Sequence, residues 1–442
     1  MSDLLAIGAS GIKAYSRALS VVGDNIANAQ TDGYVRRTVR LEEAPAAGDI
    51  LFSGSGVFPG GVTAAGVTRD LDQWLVDDAR TASGEAARQS TRLNWISATE
   101  SALDNGGDGI GSSVTAIFAT ADQLSANPND ATLRRQFLSN IDDSAGAFRR
   151  TAQTLASAAN GVAIESQSAV NQLNTDLSAL CRVNDGLRRA RAGSSNEATL
   201  LDERDRLVGN IANAIDVDVS YDARGAAIVR SASGNTLIDG NNIATVTLGV
   251  SAAGLVSFGI APATLLQPAS GRLAGLADAA AHISNQRTGL DALAAQLSST
   301  LNAAHQSGFD ANGNAGAALL NFNGSAAAMT AAALSTTDVA TASAASSNGN
   351  ILGFNAARTS SGLEQNITAF ITQQAQATAG ARAQEAAASG RRDGAFAARD
   401  AIGAVDLDRE AAELLRFQQA YEAAARTIQV ARETMQTMLN IF

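Results

Sequence analysis

The chain has 442 residues, enough for more than one domain, with 45% hydrophobic residues and a formal net charge of −11. That charge, with Lys13 as the single lysine, argues against the basic face of a nucleic-acid binder and rules out a Walker A loop or a Schiff-base lysine in the body of the chain. The lone Cys181 excludes an intramolecular disulfide framework and a cysteine zinc cluster, and its leucine-spaced surroundings mark it as a buried structural thiol.

Alanine supplies 93 residues and aromatics only 4%, which favours long packed helices over a thick globular core. No run approaches the roughly 18 consecutive apolar residues of a membrane span, so no membrane is expected as a partner. The first ten residues lack a basic stretch followed by an apolar one. The expectation is therefore no cleavable secretory signal, and a cytoplasmic protein or one exported by a route that does not read such a signal.

In chain order, the first element is a helix. Leu5, Ile12, Leu19 and Ile26 recur every seven residues, with Gly8, Tyr15, Val22 and Ala29 between them, an a/d seam that should stop at Thr31-Asp32-Gly33-Tyr34. Residues 35–70 are rich in Gly, Val and Thr (Gly54, Gly56, Gly60, Gly61, Gly66) and read as extended, turn-broken chain. Helices are predicted over 71–104 and 112–126, then from an Asp130 N-cap to about 190, and over 198–215. Alternation at Val217, Val219 and Tyr221 and turns at glycine mark a small β-rich insert, about 216–268. A long helix follows from Gly271 through Leu301. Residues 308–360 read as loop with short helix, and helix resumes over 361–402. The last helix carries a second seam, Leu407, Ala411, Leu414, Gln418, Tyr421, Ala425, Ile428, Arg432, Met435, Leu439 and Phe442, with no Gly or Pro after Val405.

Nothing in the residues points to an active site. His282 and His305 lack a ligand pattern, no nucleophile elbow or dinucleotide fingerprint is present, and Asp142-Asp143 and Asp77-Asp78 point to different helix faces. Asp310-Ala311-Asn312-Gly313-Asn314 begins like a calcium loop but has Ala315 and Asn321 where Gly and Glu are needed. No metal or cofactor is expected. Asn25 and Asn28 are poor helix formers at a helix end; they are read as pairing through their amides with a neighbouring chain, the alternative being ordinary capping.

Asn25-Ile26-Ala27-Asn28-Ala29-Gln30-Thr31-Asp32-Gly33-Tyr34 resembles the N-terminal signature of the bacterial flagellar rod, hook and hook-associated axial proteins. Residues 405–442, with Asp406-Leu407-Asp408-Arg409-Glu410, Arg416-Phe417-Gln418-Gln419-Ala420-Tyr421 and Met438-Leu439-Asn440, resemble the C-terminal signature of that family. Three internal stretches are similar to its hook–filament junction members: Gly56-Val57 with Gly66-Val67-Thr68-Arg69-Asp70-Leu71-Asp72 and Ala79-Arg80, Leu200-Leu201-Asp202-Glu203-Arg204-Asp205-Arg206-Leu207-Val208, and His305 to Asn314. Residues 322–360 are too short for the outer β domain that some members carry.

The resemblance implies a structural protein of the flagellum, not an enzyme, linking hook to filament and exported by the flagellar type III route. The implied partners are copies of itself in a ring, hook protein, hook-associated protein 3, and a cytoplasmic export chaperone on the C-terminal segment. The expected fold is mainly α with a β-rich insert, elongated and multidomain. Residues 1–35 and 405–442 form a coiled-coil core, 36–215 and 269–404 a helical body, and 216–268 a small β domain. Axial assembly is assigned to Leu5, Ile12, Leu19, Asn25, Ile26, Asn28, Gly33, Tyr34, Leu407, Leu414, Phe417, Gln418, Tyr421, Ile428, Met435 and Leu439.

Overall fold

A computed structural model describes residues 2–31, 33–44, 60–103, 106–107, 109–262 and 264–440. Gly54, the Gly56-Val57 pair, Asp32 of the turn and the seam residue Phe442 lie outside the described residues.

Helix α1 (Ser2–Asn28) ends where the Asn28 side chain turns back to donate to the Asp24 carbonyl, and Gly33, at φ +76°, redirects the chain. Strands β1 (Arg37–Glu43) and β2 (Val62–Arg69) pair antiparallel with Arg37 opposite Arg69 and a register shift after Arg40. Helix α2 (Gln73–Ala102) starts on the Asp72 carboxylate, which accepts from the Trp74 amide at 2.9 Å. Helix α3 (Ile110–Ala126) precedes the 59-residue α4 (Ala131–Arg189), which Asp130 caps as expected, accepting from the Thr132 amide at 2.7 Å. Helix α5 (Ser195–Ala214) is capped by Ser194.

The β structure of 216–268 forms two antiparallel sheets. One has the order β3 (Val217–Tyr221), β4 (Ala227–Ser231), β5 (Thr236–Asp239), β6 (Asn242–Ile243); the other β7 (Val246–Val250), β8 (Val256–Ile260), β9 (Thr264–Leu266). The turn between β3 and β4 closes because Asp222 accepts from the Arg224 and Ala226 amides and Gly225 takes φ +79°. Helix α6 (Gly271–Gln306) leads into an irregular stretch holding the short pair β10 (Leu320–Asn321) and β11 (Thr330–Ala331) and two 3-10 turns, Ala326–Ala328 and Thr336–Asp338. Helices α7 (Gly349–Ser361), α8 (Leu363–Gly403) and α9 (Leu407–Leu439) complete the chain, so the fold is mainly helical with small antiparallel sheets inserted, and the two terminal helices pack together.

The chain divides into two compact units. The first comprises Met1–Glu85, Gln172–Thr245 and Ser389–Phe442. Within it Val21, Val67 and Ala198 pack α1, β2 and α5 together, and Ala79, Ala82 and Ala395 join the first turns of α2 to the end of α8. Leu177, Leu180, Ile211 and Val229 are fully buried there, while Lys13 faces outward from α1. The second unit comprises Ala86–Asn171 and Val246–Ala388. Its core is continuous and includes Ile117, Phe118, Phe137, Leu155, Leu297 and Phe354, with the rings of Phe137 and Phe354 edge to face at 5.7 Å. The low-complexity look of 308–360 hides how firmly it is held: Leu319, Ala326, Met329 and Val339 all enter this core.

Candidate assembly interface

The pairing of α1 with α9 depends on small residues. A Cβ on Gly8 would lie 2.6 Å from Ile428 Cγ1, and one on Gly11 3.0 Å from Ala424 Cβ, so the two helices approach at glycine distance. The buried line on α1 is Gly8, Gly11, Ala14, Ala18, Val21, Val22 and Asn25. On α9 the fully buried residues are Glu410 and Ala431, with Leu414, Phe417, Ala420, Ala424 and Ile428 half-buried between them. Tyr15 and Phe417 meet between the helices with ring centroids 6.5 Å apart.

Of the expected α1 seam, Gly8, Tyr15 and Val22 face inward, while the larger residues of the other seam position do not lie at the contact. Leu5, Ile12 and Leu19 are only half-buried and Ile26 is exposed; the closest approach to α9 is made instead by Gly8, with Ile428 seated against it, and by Gly11. On α9, Leu407, Gln418, Tyr421, Met435 and Leu439 are exposed. Leu415 and Val430 add to the outward apolar surface at 58% and 60% exposure, and every described side chain from Arg432 to Asn440 is exposed.

The expected role of the asparagines is also corrected. Asn25 is completely buried, and its amide is used inside the chain. Its Nδ2 donates to the Arg37 carbonyl at 2.8 Å and to Glu410 Oε2 at 2.9 Å; its Oδ1 accepts from the Tyr34 hydroxyl at 2.9 Å and the Arg37 amide at 3.0 Å. One side chain thus ties together α1, the turn after it, β1 and α9. Asn28 caps its own helix end, donating to Asp24 and accepting from the Thr31 hydroxyl. Gly33 lies against the Arg206 side chain, where its positive φ is the requirement.

Around Asn25 lies a charged network that residue-by-residue reading did not pick out. Arg36 donates from Nε to Glu410 Oε1 at 2.7 Å and also binds Asp70, while its own amide holds the Gly403 carbonyl. Burial by itself would lower the Arg36 pKa, but the bonds to Glu410 and Asp70 outweigh it and raise it. The Tyr34 phenol is pushed up to about 12, first by burial, against the opposing charge of Arg37, whose guanidinium lies 4.7 Å above its ring. Glu410 lies one residue before the seam position Ala411, so the spacing gave no signal for its burial.

The Leu200–Val208 stretch of α5 acts as a clasp on the hairpin. Asp202 binds Arg37 at 2.6 Å and Arg69 at 2.8 Å, and Asp205 takes the second arm of Arg69 at 2.7 Å. Arg204 reaches the other way, donating to the Gly225 carbonyl at 2.6 Å with its guanidinium 4.1 Å above the Tyr221 ring. Beside this clasp is a cleft of about 420 Å³ lined by Tyr34, Val35, Arg69, Arg80 and Arg399 among others. Its arginines are committed: Arg69 to the α5 carboxylates, Arg80 to Asp77, Arg206 to Glu203 and Arg399 to Asp400. Among the described residues no group of three His, Cys, Asp or Glu side chains could hold a metal ion. The Asp310 carboxylate spends itself on its own turn, accepting from the Asn312 and Asn314 amides.

The chain is similar to known proteins along most of its length. Residues 96–320, just over half of the chain, match the flagellar hook-associated protein FlgK helical domain. Residues 5–34 match the flagella basal body rod protein family, and residues 404–441 the flagellar basal body rod FlgEFG protein C-terminal family. The flagellar hook-associated protein 1 of Salmonella typhimurium is 28% identical over 334 residues, covering 72% of this chain and 59% of that protein. The Bacillus subtilis protein of the same description is 26% identical over 486 residues, covering 97% of this chain and 96% of its own length. The chain thus spans about six tenths of the Salmonella relative and nearly all of the Bacillus one. The flagellar hook junction protein FlgK of Burkholderia pseudomallei shares the fold with a TM-score of 0.51 at 22% identity, over 55% of this chain and 46% of that one. The chain belongs to the flagellar hook-associated protein FlgK family.

Proposed function

We propose that this chain is a structural subunit of the bacterial flagellum, outside the cell at the junction between hook and filament, and that it performs no catalysis. The observation that carries the reading is the match of residues 96–320 to the junction family's helical domain on a chain whose terminal helices leave apolar side chains uncovered. The terminal matches alone would fit a rod or hook protein equally well; the helical domain separates the two. In this reading residues 1–35 and 405–442 form the assembly core, and 36–215 with 269–404 the body carrying the 216–268 insert. Of the residues expected to act, Ile26, Leu407, Gln418, Tyr421, Met435 and Leu439 are those free to meet a neighbour. Leu5, Ile12, Leu19, Leu414, Phe417 and Ile428 serve both the internal pair and its flanks, and Asn25, Asn28, Gly33 and Tyr34 fix the root of the pair.

The partners in this proposal are further copies in a ring, hook protein on one side and hook-associated protein 3 on the other, with a cytoplasmic chaperone on the C-terminal segment before type III export. The test is direct binding of the purified chain to purified hook protein and to hook-associated protein 3. A junction subunit binds both; a chain that binds only hook protein, or that polymerises into hook-like tubes alone, is a hook or rod component.

A further inference from the structure

His305, in the last turn of α6, is completely buried, and both ring nitrogens are engaged with backbone. Nδ1 lies 2.6 Å from the Ala317 carbonyl, and Nε2 lies 2.8 Å from the Ala340 amide nitrogen. A carbonyl only accepts and a backbone N–H only donates, so this geometry requires the neutral ring with its proton on Nδ1. The ring thereby fastens two separate stretches of the irregular 308–348 segment to one helix. The site is tightly built. A Cβ on Gly316 would lie 2.1 Å from the His305 carbonyl oxygen, and the Ala340 carbonyl is held in turn by Asn350 Nδ2 at 2.8 Å.

The polar groups around the ring come from three places, and two of these supply charge. Helix α4 contributes Arg134, which donates to the Thr336 carbonyl and the Thr341 hydroxyl. The irregular segment contributes the exposed carboxylates Asp310 and Asp338, each bonded within its own turn; α7 contributes only the neutral Asn350. Burial holds the His305 pKa below the ordinary histidine value, outweighing the bond to the Ala317 carbonyl and the charge of Asp310, both of which favour a charged imidazole. A second fastening is independent of pH. Asn302 Oδ1 accepts from the Leu319 and Leu320 amides at 2.7 and 2.9 Å, and its Nδ2 donates to the Leu320 carbonyl at 2.8 Å.

We propose that His305 is an acid-operated latch on the 308–348 segment. A proton taken from water at Nε2 occupies the lone pair that accepts the Ala340 N–H. That amide then loses its partner, and Val339–Thr341 comes away from α6 while the Asn302 fastening at Leu319–Leu320 holds. The direction follows from linkage. With its folded pKa lowered, His305 contributes local stability that is complete above the ordinary histidine range and is lost as pH falls below it. The opening uncovers Val339, which is otherwise fully buried, so the acid form presents new apolar surface.

The experiment is amide exchange on the full chain from neutral pH down through about pH 5, normalised to intrinsic exchange rates, with the imidazole nitrogens followed in parallel by NMR. His282 is the only other histidine and serves as the comparison. The expected result is a neutral Nδ1–H ring at neutral pH and protection at Ala340 that falls about tenfold per pH unit below about 6.5, with Leu319 and Leu320 unmoved. In His305→Gln the protection at Ala340 should no longer follow pH. If that variant does not fold, the contrast between Ala340 and Leu319–Leu320 in the unsubstituted chain decides alone. A ring already charged at neutral pH, equal losses at Ala340 and Leu319–Leu320, or an unchanged pH profile in His305→Gln overturns the proposal.

Discussion

Asn25 shows how one amide can carry an arrangement that no other side chain fits. It donates twice and accepts twice, to four groups, of which the Arg37 carbonyl, the Arg37 amide and the Glu410 carboxylate are met in buried bonds. Replacing it by Ala strands those groups, each buried one costing about 1–3 kcal/mol. Asn25→Asp keeps the shape but turns both donors into acceptors facing the Arg37 carbonyl and the Glu410 carboxylate. Chemical denaturation should therefore rank Asn25→Asp below Asn25→Ala, and an aspartate variant as stable as the parent would refute the assignment of the amide. Tyr34 gives a second test. Its phenol ionises ordinarily near 10.0 and here only near about 12. Folding thus favours the protonated form, and the unfolded chain releases the proton first as pH rises. This contribution to stability is complete below pH 10 and is lost between 10 and about 12. Difference ultraviolet titration against Tyr34→Phe should show one late phenolate, missing in the variant.

At the scale of elements, the boundaries of the helices were legible because they depend on local chemistry. Asp130 at the start of α4, Gly33 after α1 and Gly271 at the start of α6 are cap and turn residues whose effect reaches only a few positions. Only part of the face that α1 turns to α9 was legible from spacing: Gly8, Tyr15 and Val22 stood in the expected seam, but Leu5, Ile12 and Leu19 outrank Gly11 and Ala14 in hydrophobicity. What decides is how close two backbones come, and that depends on residues more than 400 positions away, such as Ile428 against Gly8. The same holds for Asn25, whose partner Glu410 is 385 positions distant. Two substitutions separate the inner and outer faces. Gly8→Val pushes into Ile428 and should cost about 1–3 kcal/mol, read as lost exchange protection along α9. Leu415→Ser with Val430→Ser removes only outward apolar surface, so the monomer should keep its stability to within about 0.5 kcal/mol per site. If the chain holds the proposed place at the junction, cells making this variant should nonetheless shed flagellin, once its export has been verified. Normal filaments would argue that this face meets nothing.

For the molecule as a whole, the two units have separate cores, and each can be weakened by itself. Leu177 is fully buried in the first unit and Phe118 in the second. Leu177→Ala should cost about 2–5 kcal/mol and Phe118→Ala about 3–5 kcal/mol. Exchange measured on peptides from each unit should assign each loss to its own half; a Leu177→Ala loss read only in peptides of the second unit would contradict the division. The exposed position of Lys13 on α1 has a practical consequence. The chain holds a single lysine, so an acylating reagent finds one ε-amine, and that amine stands on the outer surface of the terminal helix. The rate at which it is modified is a footprint of that surface: unchanged where solvent still reaches the helix, slowed where a neighbouring subunit has come to lie across it.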